Sequence, residues 1–317
     1  MSIAATLLAA CCANRVQRVR VSGREALMQL AGLRRAAARP AALQCVAACC
    51  WLCLLLVCSS RSVVAAPNEL PRASATQIVA TMLANEDAAS RSRDRYTYLS
   101  QERSDRTGGH LWTEKVVEIG AGTIRMLIAE DGKPLDSQRI ARERTRLAEI
   151  VADPAAFERK AQSRNDDQNH ARQMEWLVGR AFDFSNVRVE DGYLRIDFTP
   201  NPDFKPESFE QRVMHRMAGT MLIDPHTMRL RRLDGRLLHD VNFGWGILAR
   251  IKAGSGFDVT RDDPGVPDWK TTEYDTSFIG RILFFKSLMW NAHAVHSNFV
   301  CVPNDISVAQ AVALVEQ

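Results

Sequence analysis

The sequence predicts an α+β protein built around an antiparallel sheet, and three features of the chain predict this class. Apolar and polar residues alternate with a period of two in many segments beyond residue 94. A helical period occurs only near residue 74, between residues 136 and 177, and at the C-terminal end. Strand-like and helix-like segments do not alternate one by one, as they do in parallel βαβ sheets.

The first predicted element beyond the N-terminal region is a short helix. Ser74 is a side chain suited to the helix N-cap, and four apolar residues at helical spacing follow it: Ile78, Val79, Met82 and Leu83. Three strand-like segments come next: RYTYLSQE (95–102), HLWTEKVVEIG (110–120) and TIRMLIAEDG (123–132). Glycine-containing turns at 108–109 and 120–122 separate them, which is typical of a meander of antiparallel hairpins.

Two helices are expected in the middle of the chain. Asp136 is placed to cap the first, whose apolar stripe consists of Ile140, Leu147, Ile150 and Val151. Asp153-Pro154 then restarts a second helix with proline in its first turn. Arginine and glutamate are dense here, but mixed signs at helical spacing indicate a solvated helix face rather than a site for a polyanion.

Strands return from Phe182 to the C-terminal region. In YLRIDFTP (193–200), Leu194, Ile196 and Phe198 share one face, and the segment 224–227 forms a turn between two later strands. Further strands are expected in DVNFGWGILARIKAG (240–254) and SFIGRILFFKSLMW (277–290). A last amphipathic helix with Ser307 as its cap ends the chain.

Residues 1–66 are predicted to be a leader, and residues 67–317 a single domain. Seven arginines precede an uncharged apolar stretch that runs from Pro40 to Ser60, and small residues follow it, a pattern typical of a secretory signal. Cleavage is expected near Ala65-Ala66, which would deliver the domain to the periplasm or cell envelope. Met28 is an alternative start. Retention of residues 41–60 as an inner-membrane anchor is the alternative to cleavage, and lipidation of a leader cysteine is another.

The leader also accounts for the basic charge and for most of the cysteines. Eight arginines and one acidic residue lie in the first 66 residues, so 33 of the 41 basic and 36 of the 37 acidic residues lie beyond them. The predicted domain is therefore slightly acidic, which argues against nucleic acid as a partner. Seven of the eight cysteines belong to the leader. Their apolar spacers do not suit a zinc site, and Cys301 remains without a disulfide partner.

No motif in the sequence indicates a cofactor, a metal site or a catalytic site. The segment 244–249 matches a dinucleotide-binding pattern, but strand-like segments flank it where a strand and a helix are required. His293 and His296 are three apart and would point to opposite faces of a strand. Cys301 lies in an apolar strand, where a packed small residue is expected rather than a nucleophile.

Several stretches of the chain resemble a group of bacterial exported proteins of unknown function. These stretches are IAEDGKPLD, the arginine-rich helices, residues 198–235, VNFGWGILARIKAGSGF and DWKTTEYDTSFIGRILFFK. That group is similar to the outer-membrane lipoprotein-sorting (LolA/LppX-like) superfamily. The resemblance covers roughly residues 73–314. It implies a curved antiparallel sheet, an open half-barrel, whose helices cover the concave face, and in the lipoprotein carriers that concavity holds acyl chains.

The function expected from this resemblance and from the apolar alternation is binding of a lipid or a lipoprotein. The residues expected to line the cavity are Leu194, Ile196, Phe198, Met221, Ile223 and Phe243. Residues 136–177 are expected to cover it and to shift when the ligand leaves. A filled, ordinary core is the alternative for the concavity. A sensor or assembly factor acting through a membrane protein partner is the alternative function. An enzyme is not expected, because it would group carboxylates or histidines where the alternation places apolar residues.

Overall fold

The computed structural model describes residues 74–92, 94–161, 177–243, 249–282 and 286–317, with the backbone alone at 243, 249, 282 and 286–289. The predicted leader, the anchor at 41–60, Met28 and the leader cysteines lie outside these residues. Thirteen strands form one sheet: β1 (Arg95–Ser104), β2 (Leu111–Ile119), β3 (Gly122–Glu130), β4 (Lys133–Pro134), β5 (Phe182–Glu190), β6 (Tyr193–Pro200), β7 (Met217–Ile223), β8 (Leu230–Leu237), β9 (Val241–Phe243), β10 (Ala249–Ile251), β11 (Gly256–Asp262), β12 (Lys270–Ile282) and β13 (Lys286–Val302).

Every strand pair in the sheet is antiparallel, as the sequence predicts. The strand order is β4-β3-β2-β1-β13-β12-β11-β8-β7-β6-β5, with β10 paired to β12 and β9 paired to β10. Within the described residues β4 and β5 end this order without pairing to each other, so the sheet is open. The α+β class with a large antiparallel sheet is therefore confirmed.

Within the described residues, the sheet is accompanied by the helices α1 (Ala75–Ser90), α2 (Ser137–Ala152), α3 (Phe209–Met214) and α4 (Val308–Glu316) and by a 3-10 turn at Asp105–Thr107. Residues 154–161 and 177–181 are also helical. None of the helices in the described part of the chain is long and apolar enough to cross a membrane.

The predicted caps are confirmed by their hydrogen bonds. Ser74 and Ser307 each form a capping box with a glutamine three residues later. Asp136 accepts a hydrogen bond from the backbone N–H of Arg139 at 2.8 Å, and Asp153 accepts one from that of Ala156 at 2.9 Å. These interactions are local, so the sequence alone determines where the helices begin.

Strand pairing divides the sheet into two faces, because directly paired residues point to the same side. One unbroken row of pairs runs across eight strands: Ile196, Met221, Leu233, Val259, Tyr274, Ala294, Glu102 and Trp112. We call the side on which this row lies the Ile196 face. The opposite side carries Val117 and Ile124, which are paired on β2 and β3, and is called the Val117 face.

The two faces are covered by helices at opposite ends of the sheet. Helix α1 packs on the Ile196 face at β5–β8 and β11, in a core that includes Ile78, Val79 and Met82. Helices α2 and α4 pack on the Val117 face at β2 and β3, where Leu147 and Val312 are buried. The expectation that residues 136–177 cover the predicted cavity is therefore wrong for α2. A periodic stripe predicts that a helix is buried but does not tell which face of a sheet it meets.

Two further differences from the sequence prediction concern local elements. Helix α3 was not predicted, because a six-residue helix presents too few positions to show a period. The sequence prediction places strands in 277–290 without dividing them, whereas the structure has the end of β12 and the start of β13 there, paired at Ile282 and Lys286.

Candidate functional site

The predicted lining residues form the centre of the core under helix α1. Leu194, Ile196, Phe198, Met221 and Ile223 are all buried on the Ile196 face, as predicted. The side chain of Phe243, the sixth predicted residue, lies outside the described residues. The chain keeps this face closely packed: a Cβ at Gly235 would lie 3.0 Å from ring carbons of Phe257.

A small cavity of about 20 Å³ lies in this core beneath α1. Its walls are apolar, and they include Met82 and Leu83 of α1 together with Phe198, Met221 and Phe257 of the sheet. A volume of this size accommodates about one water molecule, but an apolar wall offers water no partner. An acyl chain would therefore enter only if α1 moved away from the sheet.

Helix α1 is fixed to the sheet through its C-terminal half. Glu86 accepts hydrogen bonds from the Nε of Arg229 at 2.9 Å and from the backbone N–H of Leu230 at 3.0 Å. Arg261 donates a further short bond to the same carboxylate. Asn85 donates to the carbonyl of Thr227 at 3.2 Å. The N-terminal half of α1 contributes mainly the apolar contacts of Ile78, Val79 and Met82.

The carboxylate of Glu86 is ionised despite its burial. Burial raises the pKa of Glu86, but the guanidinium groups of Arg261 and Arg229 outweigh this effect, so the pKa lies below its usual range. The buried charges are therefore paired, and the ion pairs join α1 to Arg229, the residue before β8, and to Arg261 of β11.

Towards β1 and β13 the same face of the sheet becomes polar. We define the polar cluster as the following nine residues of this region: Tyr98, Ser100, Glu102, Arg106, Trp112, Glu114, Arg125, Tyr274 and His296. The sequence did not lead us to expect charged groups here, and grouped carboxylates with a histidine are the feature that we associated with an enzyme.

Arg106 connects the two buried carboxylates of the polar cluster. Its Nη2 donates to Glu102 at 2.6 Å and to Glu114 at 2.7 Å, and its Nε and Nη1 each add a bond to one of them. Arg125 donates to Glu114 at 3.0 Å. Burial raises the pKa of Glu102, but hydrogen bonds from Arg106 and Ser104 bring it below the usual value. Two carboxylates and two guanidinium groups are thus held in mutual ion pairs.

The ring of His296 contacts two tyrosine rings of the polar cluster. The centroids of Tyr98 and His296 are 5.1 Å apart, and those of Tyr274 and His296 are 5.8 Å apart. Nδ1 of His296 lies 3.1 Å from the carbonyl of Thr271, so it carries the proton of a neutral ring. Burial lowers the pKa of His296 to about 4 and raises that of Tyr274 to about 12. These rings are neutral at pH 7.

Two buried polar atoms of the polar cluster have no hydrogen-bond partner within the described protein. They are the Oγ of Ser100 and the Nε1 of Trp112. Ser100 is 0% exposed and lies directly between Glu114 and His296 in the strand pairing. Unpaired buried groups of this kind are uncommon in folded proteins and call for a partner.

The other candidate residues from the sequence lie apart from this region or differ from expectation. His293 is exposed on the Val117 face, and its Nδ1 lies 3.5 Å from Oδ2 of Asp275. His296 is buried on the Ile196 face. The prediction that the two histidines point to opposite faces is therefore confirmed. Cys301 is exposed, so the expectation of a packed residue was wrong. Residues 244–248 lie outside the described residues, and antiparallel strands β9 and β10 flank them.

A separate group of possible metal ligands consists of His110, Glu130 and Asp131 at the edge of the sheet. His110 and Asp131 are exposed, and Nδ1 of His110 is hydrogen-bonded to Asp131 at 2.7 Å. Arg139 and Arg103 form ion pairs with Glu130 and Asp131, respectively. The ligand atoms are thus already paired within the protein.

Comparison of the chain with protein-family models, with curated proteins and with solved structures finds no match in any of the three. The functional interpretation therefore rests on the residues and geometry described above.

Proposed function

We propose that this protein is exported to the cell envelope and binds acyl chains between helix α1 and the Ile196 face. In this proposal the open sheet is a half-barrel of the LolA/LppX-like kind, and the ligand is a lipid or the lipid part of a lipoprotein. The observation that carries the proposal is the cavity beneath α1, an apolar space whose walls come from α1, from the helical residues 177–181 and from five strands of the sheet.

Helix α1 and an acyl chain would gain comparable free energies from burial against the Ile196 face. Helix α1 buries Ile78, Val79 and Met82 against the sheet, a contribution of roughly 2 kcal/mol for each side chain. Each methylene of an acyl chain contributes about 0.8 kcal/mol on burial. A chain of about eight to ten methylenes therefore offsets the displaced contacts, and shorter chains do not. Binding is expected to become much stronger as the chain lengthens beyond this range.

The position of the Glu86 contacts indicates how α1 would move. The ion pairs hold the C-terminal half of the helix, so the N-terminal half is the part that can separate from the sheet. Separation at this end exposes the contacts of Met82, which forms part of the cavity wall.

The polar cluster supports recognition rather than catalysis. A general acid needs a carboxyl group whose pKa is raised towards neutral pH, whereas the pKa of Glu102 is lowered. Glu114 is held by Arg106 and Arg125. A neutral His296 that is protonated only near pH 4 is also a weak base for catalysis at pH 7.

The test is native mass spectrometry of the full chain with saturated fatty acids of six to sixteen carbons. We expect one fatty acid per chain, with retention that increases sharply above about ten carbons. Phe198→Ala enlarges the cavity and should increase retention. Phe157→Ala is the matched control, because Phe157 packs against the core on the Val117 face. Absence of adducts with the wild-type protein and with Phe198→Ala would show that this region is an ordinary core.

A further inference from the structure

We infer that the polar cluster binds a neutral, hydroxyl-bearing headgroup, such as a sugar or glycerol, of the amphiphile whose chain lies beneath α1. This inference rests on the proposed function and adds the chemical class of the headgroup to it. The observation that supports the inference is one row of paired residues on the Ile196 face. It runs from Val259 through Tyr274 and Ala294 to Glu102 and Trp112.

The row places the headgroup region within reach of the cavity. Val259 belongs to the core beneath α1, and Glu102 lies three strands away on the same face. At about 4.8 Å between neighbouring strands, the distance between them is roughly 14 Å. The headgroup of an amphiphile whose chain lies beneath α1 therefore reaches the polar cluster along one continuous surface.

The charges of the polar cluster favour a neutral headgroup over an ionic one. Glu102 and Glu114 are each paired with Arg106, and Glu114 is also paired with Arg125, so two negative and two positive groups balance. His296, Tyr98 and Tyr274 add no charge at pH 7. A phosphate or an ammonium group would have to break one of these ion pairs or remain without a counter-ion.

The unpaired polar atoms show which groups such a headgroup would satisfy. The indole Nε1–H of Trp112 needs an acceptor, and the hydroxyl of Ser100 can both donate and accept. A ligand hydroxyl also donates and accepts, so several hydroxyls on one headgroup suit this pair of atoms. Ser100 is completely buried and lies on the same face as the carboxylates, which makes it a second feature that points to a ligand, independent of the ion pairs.

Partly exposed rings provide the surface at which the headgroup would enter. Tyr98, Trp112 and Tyr274 are each half-buried, and the guanidinium of Arg106 lies 5.3 Å from the ring centre of Trp112. The rings offer flat apolar surface beside fixed donors and acceptors, a combination that matches the C–H faces and hydroxyls of a sugar or glycerol.

The experiment compares four amphiphiles with the same twelve-carbon chain, each below its micelle concentration: dodecyl glucoside, dodecyl glycerol ether, dodecyl phosphate and dodecyltrimethylammonium. Calorimetric titration of the full chain should give at least about tenfold tighter binding of one or both neutral compounds than of either charged compound. The two neutral compounds distinguish a sugar from a glycerol headgroup.

Two variants test the atoms involved, and each has a matched control on the same protein. Trp112→Phe removes the indole N–H and Ser100→Ala removes the hydroxyl; each should reduce the preference for the neutral headgroup by roughly tenfold. Trp269→Phe and Ser277→Ala are the controls, because Trp269 accepts a hydrogen bond from Arg261 through its backbone carbonyl only and Ser277 is bonded to Asn291. Both controls should keep the preference of the wild type.

The possible outcomes separate the two proposals. Equal binding of all four amphiphiles would overturn the headgroup inference and leave acyl-chain binding intact. A preference for a neutral headgroup that is unaffected by both Trp112→Phe and Ser100→Ala would also overturn it. Failure of all four to bind would overturn the proposed function and the inference together.

Discussion

The two ends of the sheet bury opposite faces and differ in how they are covered. At β2 and β3, helices α2 and α4 together cover the Val117 face around Leu147 and Val312. At β5–β8 and β11, helix α1 covers the Ile196 face and leaves a cavity beneath it. The change of buried face occurs around β1, β13 and β12, where the polar cluster lies. Under the proposed function, the first end stabilises the fold and the second end binds the ligand.

The largest effect is expected from Glu86→Gln, which tests whether ion pairs hold α1 at the second end. The change removes the carboxylate partner of Arg261 and leaves Arg229 paired with Asp268 alone. Breaking a buried pair costs about 3–5 kcal/mol. The free energy of unfolding in urea should fall by that amount, and amides of α1 should exchange faster with deuterium. Asp87→Asn is the control, because its pair with Arg91 is exposed and should change stability by less than about 1 kcal/mol. Similar losses in both variants would show that Glu86 has no special role.

A pair of core substitutions compares the two ends directly. Ile196→Ala and Leu147→Ala each remove a fully buried side chain, and each should lower the free energy of unfolding by about 2–5 kcal/mol. Ile196→Ala also enlarges the space beneath α1, so dodecanoate should restore part of its lost stability. Dodecanoate should stabilise Leu147→Ala only as much as it stabilises the wild type. Equal extra rescue of both variants would contradict the assignment of the ligand to the Ile196 face.

The smallest effect concerns the pH dependence of stability at the junction of the two ends. His296 is 9% exposed, and burial lowers its pKa from 6.5 to about 4. Below pH 6.5 the unfolded chain takes up a proton that the folded protein binds only near pH 4. Stability is therefore lost as the pH falls between these values, by up to about 3 kcal/mol.

The measurement is a series of urea titrations between pH 7.5 and 4 on the wild type and on His296→Gln. The variant should lose most of the slope, whereas His293→Gln, on the opposite and exposed side, should keep it. The lowered pKa of Glu86 contributes only at the acid end of this series, below about pH 5. Its stabilising effect is complete above the unfolded pKa of about 4.3 and is lost only as the pH falls further through the folded pKa. A slope that persists in His296→Gln would show that other groups cause it.

The sequence predicts those features of the molecule that depend on neighbouring residues. The caps at Ser74, Asp136 and Ser307 are local, and the alternation in YLRIDFTP places Leu194 and Ile196 on the buried face. Both kinds of signal are complete within a few residues, so no knowledge of strand order is required.

The polar cluster could not be predicted in this way, because strand order brings its members together. Their residue type assigns Glu102 and Glu114 to solvent, because a charged residue in a strand is usually exposed. Both are buried because the register of β1 against β2 and β13 places Arg106 and Ser100 beside them. One signal was present in the sequence: Tyr96, Tyr98, Ser100 and Glu102 share one face of β1, so an aromatic face continues directly into a carboxylate.

The most direct test of the central claim is to locate a bound acyl chain on the sheet. A diazirine-bearing fatty acid is bound to the full chain, cross-linked by light and mapped by peptide mass spectrometry. The account predicts labels on α1, β6 and β7, around Met82, Phe198 and Met221, and competition by unlabelled dodecanoate. Labels that concentrate on α2 and α4, around Leu147 and Val312, would contradict it.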